Sequence, residues 1–181
     1  MQRIALVGNS GSGKSTLARA LAAGLHLHHL ELDALFHQPG WTRLPEPAFR
    51  EQVAEVVAGE RWVADGNYRM VRDLVWGRAD TIVWLDLPRR VVTPRIVRRS
   101  LMRVATRQAL WNGNRERWRN LFSTDRERSI VLWSITQHAT HRTVYRQTLL
   151  EDPPEDVAVV HLRSTGEVRR WRREALASVG A

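Results

Sequence analysis

Apolar residues in this chain gather into short unbroken runs, and between the runs they recur at helical spacing. Arg3 to Val7 (Arg-Ile-Ala-Leu-Val) lacks polar alternation, which predicts a strand covered on both faces. Lys14 to Ala23 predicts a helix closed by Gly24. His28 to Glu31 predicts a short second strand, followed by a loop that carries Asp33 and runs through Pro39-Gly40-Trp41. Pro45 and Pro47 open a helix with Phe49, Val53 and Val56 on one face, ending near Gly59. Arg61 to Ala64 and Thr81 to Leu85 predict two more strands, ending at Asp65 and Asp86.

After Pro88 the spacing predicts a long helix with Val97, Leu101 and Val104 on one side. Arg95, Arg99, Arg103 and Arg107 follow at four-residue steps on another. Trp111-Asn112-Gly113-Asn114 breaks that pattern, and Arg115 to Arg128 reads as a polar flap. Ser129 to Leu150 is helical again, with Arg142 and Arg146 one turn apart, and Asp152-Pro153-Pro154 ends it. A fifth strand, Val157 to Leu162, and a last helix, Glu167 to Ser178, complete the pattern. Strands alternate with helices throughout, so right-handed crossovers yield a parallel sheet covered on both faces, an α/β fold of three layers.

At 181 residues and 43% hydrophobic, the chain is the size of one domain, 1–181. No apolar run approaches the roughly 20 residues of a membrane span. The chain enters a strand at once, without a charged leader, so no membrane partner is expected and the cytoplasm is the expected compartment. Cys is absent, which excludes disulfides and thiolate metal sites. The His28-His29 and His138/His141 pairs read as surface or core histidines in preference to a transition-metal site.

Charge changes the picture. The formal net charge is +9, and the surplus is concentrated between Arg89 and Arg128, where only Glu116, Asp125 and Glu127 are acidic. Such a balance implies polyanionic partners, either nucleic acid or nucleotide polyphosphates. Among 28 basic residues Lys14 is the single lysine. A chain that uses Arg for every generic cation has kept one compact ammonium on a flexible stem. It lies in Gly8-Asn9-Ser10-Gly11-Ser12-Gly13-Lys14-Ser15, which fits the phosphate-loop pattern G-x-x-x-x-G-K-[ST] at every fixed position, between a strand and a helix.

The glycines allow the backbone N–H groups of Gly8 to Thr16 to turn inward around phosphates, aided by the positive end of the following helix. Lys14 would neutralise the β- and γ-phosphates of ATP, and the Ser15 hydroxyl would ligate Mg²⁺. A strand-end carboxylate is also required near the metal. Asp65 is favoured, with Asp86 kept as a supporting or helix-capping group.

The loop, the stretch Asp65-Gly66-Asn67-Tyr68-Arg69, and Leu85-Asp86-Leu87-Pro88 followed by Arg95 and Arg99 together resemble the nucleoside monophosphate kinase superfamily. The resemblance implies a P-loop NTPase fold with strand order 2-3-1-4-5, an acceptor-binding insert at about 33–60 and a lid at about 108–128. It implies Asp65 at the metal, Arg69 at the acceptor phosphate, and Arg95 and Arg99 on ATP. It puts a later arginine pair on Arg142 and Arg146. Leu32-Asp33-Ala34-Leu35-Phe36, Pro39-Gly40-Trp41, Trp62 to Tyr68 and Leu110 to Glu116 further resemble a bacterial group of small adenylate kinase-like, or DNA topology modulation, proteins.

The acceptor segment carries Asp33 and Trp41 where adenylate kinases use a Thr and Arg set, so the resemblance leaves the acceptor open between a nucleotide and a small hydroxylated metabolite. A carboxylate near the loop mouth suits a hydroxyl acceptor, because transfer to a hydroxyl benefits from a base within reach. Asp33 is accordingly a candidate catalytic residue, or else a cap or a partner for Arg43 or Arg69. Trp41 and Trp111, in predicted loops, are candidates to stack a ligand. The expected activity is ATP:Mg²⁺-dependent phosphoryl transfer by a monomer or homodimer. The alternative is a nucleic-acid-associated ATPase that lays its Arg stripe on phosphate backbone, although no base-reading module is recognisable.

Overall fold

The structure, a computed structural model, describes residues 1–116 and 130–177. Five strands form one parallel sheet in the order β2-β3-β1-β4-β5. They are β1 (Arg3–Gly8), β2 (His28–Glu31), β3 (Trp62–Asp65), β4 (Thr81–Leu85) and β5 (Ala158–Leu162). Successive side chains of a strand point to opposite faces, and the two cores follow from that alternation. Ala5, Val7, Trp62, Ala64, Ile82 and Trp84 enter one core, while Ile4, Leu6, Val63, Val83 and Leu85 enter the other.

The first core is covered by α3 (Glu46–Val57), α4 (Arg72–Trp76) and α6 (Ile130–Arg146), through Phe49, Val53, Val75 and Tyr145. The second is covered by α1 (Lys14–Leu25) and α7 (Thr165–Ala177), through Leu17, Leu21, Leu25 and Ala175. This is the three-layer arrangement the alternating pattern predicts, in the expected strand order. Trp62 is fully buried and its Nε1 donates to Val57 O over 3.2 Å, so the bulkiest core side chain leaves no polar atom unpaired.

Register puts the chemistry at one end of the sheet. Leu6 lies beside Asp65, Glu31 beside Asp65, and Gly8 beside Leu85, so the carboxyl ends of β1, β2, β3 and β4 converge. The chain leaves β3 through Gly66 at φ +149°, where an added Cβ would stand 2.8 Å from Leu32 Cβ. That close passage carries Asn67 and Tyr68 beneath the start of α2 (Leu32–Phe36).

Some expectations need correction. Asp33 lies on the short helix α2 and not in a loop. The long helix α5 (Arg89–Ala105) buries Val92, Ile96, Ser100 and Val104, while Leu101 is 39% exposed. It ends at Ala105, so Arg107 is off the helix, in a left-handed conformation at φ 50°. The helix expected over 129–150 is α6 followed by a π-helical turn, Gln147–Glu151. Of the expected lid, 108–116 is described and 117–128 lies outside the described residues.

Candidate active site

The phosphate loop leaves β1 at Gly8, whose φ of +142° brings it so close to β4 that an added Cβ would stand 2.5 Å from Leu85 O. Gly11 at φ +76° passes equally close to α5, where a Cβ would meet Ile96 Cγ1 at 2.7 Å. Gly13, left-handed at φ +100°, is the N-cap of α1 and offers no side-chain cap. The first-turn N–H groups of α1 therefore keep their positive end open to an anion.

The loop is clamped from β3. Asn67 Nδ2 donates to Gly8 O over 2.7 Å, and Gly8 N donates back to Asn67 Oδ1 over 3.2 Å. Lys14 Nζ donates to the same Gly8 O over 2.7 Å and to Asn9 O over 3.3 Å. Burial lowers the Lys14 pKa, while the negative fields of Asp65 and Asp33 oppose that shift. The ammonium thus sits folded over its own loop, where a phosphate oxygen would replace carbonyl partners with a charged one.

Asp65, at the end of β3, is buried, and its Oδ2 has no hydrogen-bond partner among the described residues. Its Oδ1 is 3.8 Å from His29 Nε2. An orphaned buried carboxylate oxygen beside the loop fits a divalent cation or its waters, and Ser15, expected to add a hydroxyl ligand, stands in the first turn of α1. Among the described residues no three His, Cys, Asp or Glu converge as a protein cage. Asp86 is otherwise engaged. Its Oδ2 accepts from Arg142 Nε and lies 3.1 Å from His161 Nε2, while His161 stacks on Trp84 with centroids 4.2 Å apart. Asp86 therefore fastens α6 to the sheet and does not cap α5, whose N-cap is Pro88.

On the acceptor side, Asp33 accepts a 2.6 Å hydrogen bond from the Tyr68 hydroxyl, and Tyr68 Oη is 3.5 Å from His37 Nε2. Burial and the adjacent Asp33 push the Tyr68 pKa far above its ordinary value, so the phenol stays protonated and donates. Burial lowers the His37 pKa, with Asp33 opposing and Arg43 reinforcing, and keeps that ring neutral near pH 7. Trp41 is partly exposed and meets His37 and Trp111 edge-on, with centroids 5.4 and 6.5 Å apart. Asp33, Trp41 and Trp111 are thus linked through Tyr68 and His37.

The arginines divide. Arg99 donates to Ser10 Oγ in the loop over 3.2 Å, Arg103 pairs with Glu116 at 2.9 Å, and Arg95 reaches Thr165 Oγ1 at 3.2 Å. Three of the four arginines of the expected stripe therefore have partners within the chain. Arg146 is not brought to the site, since it pairs with Glu151 at 3.4 Å on the exposed end of α6. Arg69 is exposed at the start of a 3₁₀ turn, whereas Arg72 lines a cavity with Gly66, Asn67 and Tyr68. The Arg72 guanidinium carbon lies 4.9 Å from the Trp76 ring centroid and 5.7 Å from that of Tyr145. The sequence reading missed Tyr68, Asn67, His37 and Arg72 as functional groups. The motif Asp65-Gly66-Asn67-Tyr68-Arg69 was its only pointer, and the targets of these side chains are distant in sequence.

No family model matches the chain. A shikimate kinase of Synechococcus elongatus is 31% identical over 138 residues, covering 62% of this chain and 70% of that protein. A shikimate kinase structure from Bacteroides thetaiotaomicron superposes with a TM-score of 0.55 at 16% identity, covering 99% of each chain. A gluconokinase from Sinorhizobium meliloti gives 0.53 at 21% identity, covering 99% of this chain and 91% of the other. The structural likenesses establish the fold, and the sequence relationship establishes descent. The chain belongs to the nucleoside-monophosphate-kinase-like superfamily of P-loop kinases, with shikimate kinases among its relatives.

Proposed function

We propose that the protein transfers the γ-phosphoryl group of ATP to a hydroxyl of a small metabolite or nucleotide. The observation that carries this reading is the turn after β3, which ties α2 to the phosphate loop: Asn67 clamps Gly8 at the loop entry, and the next residue, Tyr68, holds the Asp33 carboxylate at 2.6 Å. A carboxylate within the field of the phosphate-binding cations is where an acceptor hydroxyl must be oriented and relieved of its proton. The phosphoryl group moves from the ATP β-γ bridging oxygen to the acceptor oxygen, and the hydroxyl proton passes to Asp33 or to solvent.

Each residue has a role in this reading. Lys14 and Arg99 stabilise charge on the transferring group, with Arg95 at the edge of the nucleotide site. Ser15 and Asp65 would hold Mg²⁺, whose charge offsets that of the β- and γ-phosphates. Tyr68 fixes the Asp33 carboxylate, and Trp41 closes the acceptor wall. Arg72, which faces the cavity floor without a carboxylate partner among the described residues, would receive an anionic substituent of the acceptor in preference to Arg69. Arg142 holds α6 in place through Asp86, and Arg146 has no role.

The resemblance to adenylate kinase-like proteins bears on the ATP half of this assignment, while kinship with shikimate kinases and a fold shared with a gluconokinase favour a hydroxyl acceptor. The test is a panel of nucleosides, nucleoside monophosphates, sugars, sugar acids and cyclic hydroxy acids offered with ATP and Mg²⁺. A phosphorylated product that is lost in Lys14→Ala supports the proposal. Hydrolysis to ADP and phosphate alone, across the whole panel, refutes it.

A further inference from the structure

The helix that carries Asp33 is too short to stand alone. α2 has five residues, far below the ~12–15 that an isolated helix needs in water, and its N-cap, Glu31, makes no side-chain cap. Its last carbonyls need donors from elsewhere. His37 N supplies one to Asp33 O at 3.0 Å. Gln38 Nε2 donates to Leu35 O at 2.8 Å and Leu44 N to Phe36 O at 2.9 Å. The carbonyl of Ala34 and that of the C-cap His37 are served from the lid base, far along the chain: Asn112 Nδ2 donates to Ala34 O at 3.1 Å and to His37 O at 2.7 Å.

The surrounding contacts repeat this arrangement. Asn114 is buried; its Nδ2 donates to Gln38 O and its Oδ1 accepts from Trp41 N, both at 2.9 Å. Trp41 Nε1 donates to Arg115 O at 3.2 Å. The His37 and Trp111 rings stack at 5.7 Å and 21°. The same lid segment is tied to α5 by the Arg103–Glu116 pair, and α5 reaches the phosphate loop through Arg99 and Ser10. A continuous set of contacts therefore runs from the loop, through α5 and the lid base, to α2.

We infer that Asn112 is a positioning residue for Asp33: its amide, presented by the lid base, caps α2 and holds the acceptor carboxylate facing the phosphate loop. Asn112 adopts a left-handed backbone at φ 55°, a conformation that Asn and Gly tolerate best, and its side chain turns back toward α2. Loss of the amide leaves the Ala34 and His37 carbonyls without this donor and loosens the end of α2 from the lid base. This inference rests on the reading of Asp33 as the acceptor-side carboxylate.

Asn112→Gly separates the amide from the turn, because glycine keeps the left-handed backbone while deleting the donor. Asn112→Asp is the second variant, with an acceptor in place of the donor opposite two carbonyl oxygens. Amide hydrogen exchange on the full chain is expected to quicken at residues 34–38 by tenfold or more in both variants, with the affinity for Mg-ADP within twofold of wild type. With any panel acceptor that the wild type phosphorylates, kcat should fall by tenfold or more while KM for ATP stays within twofold. Unchanged exchange at 34–38, wild-type kcat, or an equal loss of ATP affinity and kcat would overturn the inference and leave the kinase assignment standing. A wild-type protein that phosphorylates nothing in the panel would remove the kinase assignment and this role together.

Discussion

The Tyr68 hydroxyl donates to the Asp33 carboxylate over 2.6 Å, joining the turn after β3 to the helix after β2 across the mouth of the phosphate loop. A hydrogen bond to a charged group contributes about 1.5–3 kcal/mol. Tyr68→Phe keeps the ring contacts with Phe36 and Phe49, at 4.7 and 5.2 Å, and removes only the donor. We therefore expect kcat for phosphoryl transfer to fall by about 10- to 100-fold, with the calorimetric affinity for MgATP unchanged. A variant with wild-type kcat would show that Asp33 needs no help from Tyr68.

Asn67 makes the opposite prediction for the two substrates. Its amide both donates to and accepts from Gly8, so its polar contacts fix the entry to the phosphate loop. In Asn67→Ala the Kd for MgATP should rise by about tenfold, the equivalent of about 1.4 kcal/mol. Asn67→Asp should lose more, because it removes the donor to Gly8 O and brings a negative charge toward a triphosphate. Titration calorimetry distinguishes the two, and equal affinities in both variants would count against the clamp.

Gly8 and Gly13 both have positive φ, yet they should respond differently to an added methyl. At Gly8 the new Cβ would stand 2.5 Å from the backbone oxygen of Leu85, whereas nothing lies within 4 Å of a Cβ at Gly13. A strained backbone alone costs about 1–3 kcal/mol, and Gly8→Ala adds a clash with a core strand that cannot retreat. Urea unfolding should place Gly8→Ala well below Gly13→Ala in midpoint. Gly13→Ala should fold and bind MgATP poorly, because its methyl stands at the open first turn of α1.

What was legible in the sequence is what is encoded locally. Buried strands declare themselves as unbroken apolar runs, Pro and Gly mark the ends of helices, and the phosphate loop is a contiguous string from Gly8 to Ser15. Asp65 and Asp86 were visible at strand ends for the same reason. The state of Asp33 was not, because α2 is completed by Asn112, 78 residues away from Ala34. The motif pointed to Arg69 alone, and nothing local showed that a 3₁₀ turn beginning there leaves Arg69 exposed while Arg72 lines the cavity. Spacing also extended the arginine stripe to Arg107, but the helix stops at Ala105, where the Thr106 hydroxyl bonds back to Met102 O at 2.7 Å.

Acid should destabilise the fold through its partly buried histidines before it reaches the carboxylates. Burial, and then the fields of Lys14, Arg72 and His138, pull the His141 pKa from 6.5 down to about 4, and burial pulls His37 the same way. In both cases the folded value lies below the unfolded one, so between about pH 6.5 and 4 the unfolded chain binds more protons than the folded one. Their contribution to stability is complete above pH 6.5 and is lost as the pH falls toward 4. Asp73, Asp80 and Glu167, all held below their ordinary values, act in the same direction, but only once the pH approaches the carboxylate range near 4. The urea midpoint should therefore decline between pH 6.5 and 4.5, and His141→Gln should flatten that decline while leaving the steeper loss below pH 4 in place. A variant that tracks the wild-type curve across the upper window would show that the burial of His141 does not set the acid limit of this fold.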